Sequence, residues 1–257
     1  MTAWRKVLPG TETKGSPDVA DLLYPPVIGA ARAWFKALDL RFDIHGTEHV
    51  PSRGGAVLVS NHISYLDFIF TGLATRPAKR LVRFMAKDSV FRHKVSGPLM
   101  RAMKHIPVDR SRGEGAYAHA LKALRSGEII GVFPEATISC SFTLKDFKSG
   151  AARLAQEARV PLIPMALWGT QRLWTKGHKR DFGRNHLPIS IRVGEPVSAE
   201  QHEPAAGVTE RLRERVQELL ESAQRAYPAT PKDAADSWWQ PAHLGGTAPT
   251  PAQARAL

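Results

Sequence analysis

Short apolar runs of strand length recur along this chain, each closed by turn residues and each followed by a stretch of helical spacing, and that alternation narrows the fold more than any other feature. "GAVLVS" (55 to 60) reads as a buried strand, and "VRFMA" (82 to 86), "HIPV" (105 to 108), "EIIGVFP" (128 to 134), "VPLIPMAL" (160 to 167) and "ISIRVG" (189 to 194) as further strands. Between them "LDFIFTGLA" (66 to 74), residues 96 to 103, "EGAYAHALKALRSG" (114 to 127) and "KSGAARLAQEA" (148 to 158) read as helices, with Gly127 as the cap of the third. A last helix over 209 to 227 aligns Leu212, Val216, Leu219, Leu220 and Ala223 on one stripe. Strands and helices in this order predict an α/β fold: a single domain with a mixed, mostly parallel sheet flanked by helices.

The two ends read differently. Residues 24 to 42 open with a proline pair and set Ile28, Ala31, Trp34, Phe35, Leu38 and Leu40 at roughly helical spacing, which predicts an N-terminal amphipathic helix. After Tyr227 the chain turns to proline and small residues, with Trp238 and Trp239 its one apolar cluster, and residues 228 to 257 read as an irregular, Pro-rich C-terminal tail outside the core. The predicted organisation is therefore a segment over 1 to 23, one domain over 24 to 227, and a tail whose removal should leave the chemistry intact. A chain of 257 residues, 43% of them hydrophobic, is long enough for one sizeable core.

Cys140 is the only cysteine, so no intramolecular disulfide and no cysteine-based zinc cluster can form. No secretory signal and no run of eighteen apolar residues is visible. The charge is uneven: residues 76 to 112 hold eleven Lys and Arg against two acids, within a formal net charge of +12. Such a block is drawn to polyanions, whether nucleic acid, an anionic membrane surface or phosphorylated ligands. It contains no helix-turn-helix, zinc or base-stacking signature, so nucleic acid is the less expected partner.

Chemistry is concentrated where strands end. In "SNHISYLDFIF" (60 to 70) the strand passes into the helix through Asn61, His62 and Asp67, at the strand end where open α/β sheets hold their ligands. A carboxylate one turn beyond a histidine can fix its tautomer and support the cation formed when the other ring nitrogen takes a proton, which makes a general base. "HIPVDR" (105 to 110) sets Asp109 and Arg110 after another strand, "FPEATIS" (133 to 139) sets Glu135 after a third, and "VPLIP" (160 to 164) begins a fourth.

Those four stretches, in this order over residues 50 to 170, resemble the blocks of the glycerolipid acyltransferases, the family typified by lysophosphatidic acid acyltransferase. "NHISYLD" matches the first block, "IPVDR" the second, "FPEATIS" the third and "VPLIP" the fourth. The third departs from the family pattern, with Ala136 for a glycine and Ile138 for an arginine.

The resemblance implies transfer of a fatty acyl group from coenzyme A or acyl carrier protein to a hydroxyl of a phosphorylated glycerol, most simply 1-acyl-glycerol-3-phosphate, without a covalent acyl-enzyme. Glycerol-3-phosphate or a glycolipid hydroxyl is the alternative acceptor that Ile138 keeps open. A basic protein binding nucleic acid or a membrane surface without catalysis is the alternative of another class. In the family reading His62 is the base and Asp67 its partner; Lys104, Arg110, Lys145 and Lys148 hold the acceptor phosphate and Glu135 its glycerol. Asn61, Pro134, Thr137 and Pro161 support the blocks. No metal and no cofactor beyond the thioester co-substrate is expected. Lipid substrates imply a cytoplasmic protein, peripheral on the inner face of the membrane, and the 24 to 42 helix with the basic block is the expected equipment.

Overall fold

The structure is a computed structural model that describes residues 19–94, 96–109 and 113–256. Helix α1 (Val19–Ala37) leads into strand β1 (Arg41–His45), followed by β2 (Ala56–Ser60), α2 (Asp67–Ala74), β3 (Val82–Lys87), α3 (Asp88–Arg92), α4 (Ser96–Ala102) and β4 (Ile106–Val108). Next come α5 (Gly113–Arg125), β5 (Ile129–Val132), α6 (Gly150–Ala158), β6 (Leu162–Trp168), β7 (Pro188–Val193), α7 (Ala205–Arg225) and α8 (Pro251–Ala254). The seven strands make one sheet in the order β1-β7-β6-β2-β5-β3-β4. Every pairing is parallel except that of β6 with β7.

The near-continuous apolar strands are explained by burial on both faces. Along β2, Val57 and Val59 point into a core built with α5, α6 and α7, whereas Ala56 and Leu58 point into a second core with α1 and α2. Strand β6 alternates likewise: Leu162, Ala166 and Trp168 serve the first core, Ile163, Met165 and Leu167 the second. The turn after α5 closes as expected, with Gly127 at φ +86°.

Two expectations need correction. The first helix does not run to residue 42: it ends at Ala37, Asp39 turns the chain at φ +52°, and Arg41–His45 pairs in register with Pro188–Arg192 as an edge strand. Residues 41 and 42 read as the end of the helix only because a short edge strand carries too few residues to establish its period of two. The 228–257 segment is irregular, as read, but it does not lie outside the core. Trp239 is 2% exposed and packs with Trp168 and Tyr227, and Ala248 is 5% exposed. One indole of this size buries more apolar area than the surrounding prolines and alanines suggest.

Candidate active site

The two strands beside β2 are β5 and β6, both parallel to it, so the segments leaving all three emerge at one edge of the sheet. His62 follows β2, Glu135 follows β5 and Thr170 follows β6. Asn61 fastens the first of these exits. Its amide donates to the Leu167 carbonyl at 3.0 Å and accepts from the Leu167 N–H at 2.7 Å, as a backbone peptide would, and it has no exposed surface.

One residue further on, the His62 Nδ1 lies 2.9 Å from Asp67 Oδ2. The same oxygen accepts the N–H groups of Ile63 and Ser64, each at 2.7 Å, and Asp67 Oδ1 accepts the Thr170 hydroxyl at 2.7 Å. Asp67 is completely buried, at the first residue of α2, where the helix dipole favours a negative charge. An acceptor-only carboxylate against Nδ1 calls for the tautomer with hydrogen on Nδ1, leaving the Nε2 lone pair for substrate. The His62 ring retains 22% of its side-chain exposure and stacks on Phe133 at 4.5 Å between centroids. Phe133 stacks in turn on Phe84 at 6.0 Å. Gly131 makes room for this: a side chain there would reach within 2.4 Å of the Phe84 ring.

The third block braces the first. Glu135 is buried, with Oε1 accepting the His62 N–H at 2.8 Å and Oε2 the Lys145 N–H at 3.1 Å, while Ser139 N–H donates to the His62 carbonyl at 2.7 Å. Burial pushes the Glu135 carboxyl up to about 7, against the opposing pull of those two amides and the nearby positive charges. Its carboxylate thus clamps two loops together. Ala136, in the glycine position of the block, takes φ +61°.

The cations are distributed unevenly. Lys145 Nζ donates to Thr137 O (3.1 Å), Thr137 Oγ1 (2.6 Å) and Ile138 O (3.0 Å), so its three protons serve the third-block loop. Lys148 is exposed and its N–H donates to the Pro134 carbonyl at 3.1 Å. Lys104 is exposed before β4, with φ +56°, and Arg110 lies outside the described residues. Ile138 is 9% exposed, turned into the protein. Pro161 supplies the carbonyl that accepts the Val57 N–H at 3.0 Å, which seats β2 beside β6. Among the described residues no cluster of His, Cys, Asp and Glu could hold a metal, and no helix is long and apolar enough to cross a membrane.

Beyond Phe84 a cleft of about 100 Å³ opens between α1, α2 and β3, walled mainly by Ile28, Phe35, Phe68, Leu73 and Phe84. Sequence reasoning missed Thr170 and Phe133. A threonine two residues after the buried strand of the fourth block was the available signal for the first, and the residue before Pro134 for the second.

Comparison with known proteins identifies the family and the fold. The acyltransferase family model matches residues 41–168. A 1-acyl-sn-glycerol-3-phosphate acyltransferase of Bacillus subtilis is 30% identical over 190 residues, covering 68% of this chain and 86% of its own length. The protein of the same name from Limnanthes alba is 30% identical over 182 residues, 69% of this chain but 61% of its own. The crystal structure of the 1-acyl-sn-glycerophosphate acyltransferase from Thermotoga maritima matches with a TM-score of 0.66 at 21% identity, over 82% of this chain and 83% of that one, which is a likeness of fold.

Proposed function

Because the chain belongs to the acyltransferase family, we propose that it moves a fatty acyl group from an acyl thioester to the free hydroxyl of 1-acyl-glycerol-3-phosphate, forming phosphatidic acid. The observation that carries this reading is the buried Asp67 holding His62 by Nδ1 at 2.9 Å, which leaves Nε2 as the base. Nε2 takes the acceptor hydroxyl's proton as its oxygen attacks the thioester carbonyl. The tetrahedral intermediate then expels the thiolate, which recovers the proton from the imidazolium. A positioned base contributes typically ~100 to 10,000-fold to such a step. Coenzyme A and acyl carrier protein are the two carriers whose thioesters fit this chemistry.

The apolar cleft between α1, α2 and β3 suits the acyl chain, since it begins at Phe84, two stacked rings from His62. Arg110, Lys104 and Lys148 are the cations we assign to the acceptor phosphate, whereas Lys145 and Glu135 hold the third-block loop. The test is to incubate the purified protein with oleoyl-coenzyme A and lysophosphatidate, following thiol release and identifying the lipid product. Phosphatidate should form, and His62→Ala should lower turnover at least ~100-fold while the protein stays folded. Near-parental turnover in that variant, or hydrolysis without a lipid product, would overturn the proposal. Glycerol-3-phosphate and a monoacylglycerol in parallel reactions identify the acceptor.

A further inference from the structure

The connection from β6 to β7 has features that the transfer chemistry does not use. Residues 176–186 are exposed throughout and carry Lys176, Lys179, Arg180 and Arg184 against one acid, Asp181. That acid is occupied with the loop itself. Its carboxylate accepts the Gly183 N–H at 2.9 Å and the Asn185 side-chain N–H at 2.7 Å, and its own N–H donates to the Leu173 carbonyl at 2.8 Å. The loop is therefore shaped from within and presents positive charge outward, while Arg184 and His186 pair with Asp39 beside α1.

Aromatic rings from three distant parts of the chain line up next to this charge. Phe182, 36% exposed, meets Trp34 of α1 edge-on at 5.1 Å and Trp174 at 6.3 Å. Trp174 lies 4.8 Å from Tyr65, which is 44% exposed and three residues from His62. The row is tied to the catalytic turn: the Trp174 carbonyl accepts the Tyr65 N–H at 3.1 Å and the Ser64 hydroxyl at 2.7 Å, and the Thr175 hydroxyl donates to the Ile63 carbonyl at 2.7 Å.

We propose that this row of rings, with Lys179 and Arg180, is a docking surface for an anionic lipid bilayer that seats the molecule with His62 toward the headgroups. Indole and phenol rings settle at the boundary between acyl chains and headgroups, and adjacent cations find anionic lipid. Half-exposed rings interleaved with cations fit such a boundary better than the uniformly polar face of an acidic protein. The inference rests on the acyltransferase reading only in taking the acceptor to be a membrane lipid, and binding is measured whether or not transfer is seen, so the two fail separately.

The experiment compares co-sedimentation of the full chain with phosphatidylcholine vesicles containing or lacking phosphatidylglycerol. The parent should bind the anionic vesicles more tightly, and Lys179→Glu with Arg180→Glu should weaken that binding by about tenfold or more, each cation near such a surface being worth roughly fivefold. Phe182→Ser should weaken binding and Phe182→Trp restore it, with melting temperatures recording that each variant is folded. Transfer between a short-chain thioester and a short-chain lysophosphatidate below its micellar concentration should be unchanged in all of them. Equal vesicle binding by parent and variants, or a loss on monomeric substrates as large as that on vesicles, would overturn the proposal. So would a charge-reversal defect confined to the acyl carrier protein donor, because it would assign the surface to that acidic protein.

Discussion

Thr170→Val removes one hydrogen bond and little else, since the two side chains are nearly isosteric. The Thr170 hydroxyl is the partner of Asp67 Oδ1 at 2.7 Å, and both residues have no exposed surface, so water cannot take over the vacated position. Asp67 Oδ2 keeps its backbone donors, but the carboxylate loses the contact that sets its rotation, and with it the alignment of His62. A hydrogen bond to a charged group is worth about 1.5 to 3 kcal/mol, which corresponds to roughly ten- to a hundredfold in rate if it is needed to orient the base. Thr170 has no place in substrate binding, so kcat should fall by that factor while KM for thioester and acceptor stays put. Thr170→Ser, which retains the hydroxyl, should recover most of the loss. Steady-state thiol release with each substrate varied in turn gives the split, and the melting temperature reports the unpaired carboxylate oxygen as a drop of about 2 to 10 °C. A folded valine variant with parental kcat, or equal losses for valine and serine, would refute the reasoning.

Four further outcomes follow from the same geometry. Glu135 has a folded value of about 7 against an ordinary 4.5, so the native protein holds a proton that the unfolded chain has released and stability falls as pH rises through that window. Burial and Arg83 hold His105 at about 4 against 6.5, so the unfolded chain takes up the extra proton and stability rises with pH from about 4 to 6.5. The two slopes oppose each other; relative to the parent, Glu135→Gln should show a melting temperature that climbs more steeply from pH 4.5 to 6.5, and His105→Asn one that climbs less. Truncation after Tyr227 strips Trp239 from Trp168 and from the Arg172 guanidinium 4.4 Å above its ring, and should lower stability by about 3 to 5 kcal/mol in chemical denaturation, as deletion of a buried Trp does. Ala136→Gly relieves a left-handed alanine and should raise stability by up to about 1 kcal/mol without altering kcat.

The parts legible in the sequence are those where one short stretch contains its own physical reason. Strand β2 declares itself by continuous apolar residues, and the His62 and Asp67 pair by a spacing that a strand-to-helix turn can close. Strand β1 does not, because only its partner β7, some 150 residues later, makes Arg41–His45 a strand. Glu135 was legible as a site residue but not as a clamp, since its two amide donors come from His62 and Lys145, on different loops. The same distance hides Thr170 from Asp67, and Trp34 from Phe182. Composition misled at the C-terminus, where Trp239 outweighs its proline-rich surroundings.

Asn61 holds Leu167 by both hydrogen bonds that a main-chain residue would form, and so ends β2 with a side chain acting as one more rung of the sheet. The consequence is a separation between where the site is and what it recognises. The His62 turn takes its position from β2 and β6, buried along their whole length, while exposed residues such as Lys148 and Lys179 lie outside that frame. On the proposed chemistry, a chain of this kind can change what its exposed rim recognises and still keep His62 at the same point in space. By that logic Asn61→Asp, which keeps the acceptor and loses the donor, should damage every substrate alike, whereas changes at the rim should sort one acceptor from another.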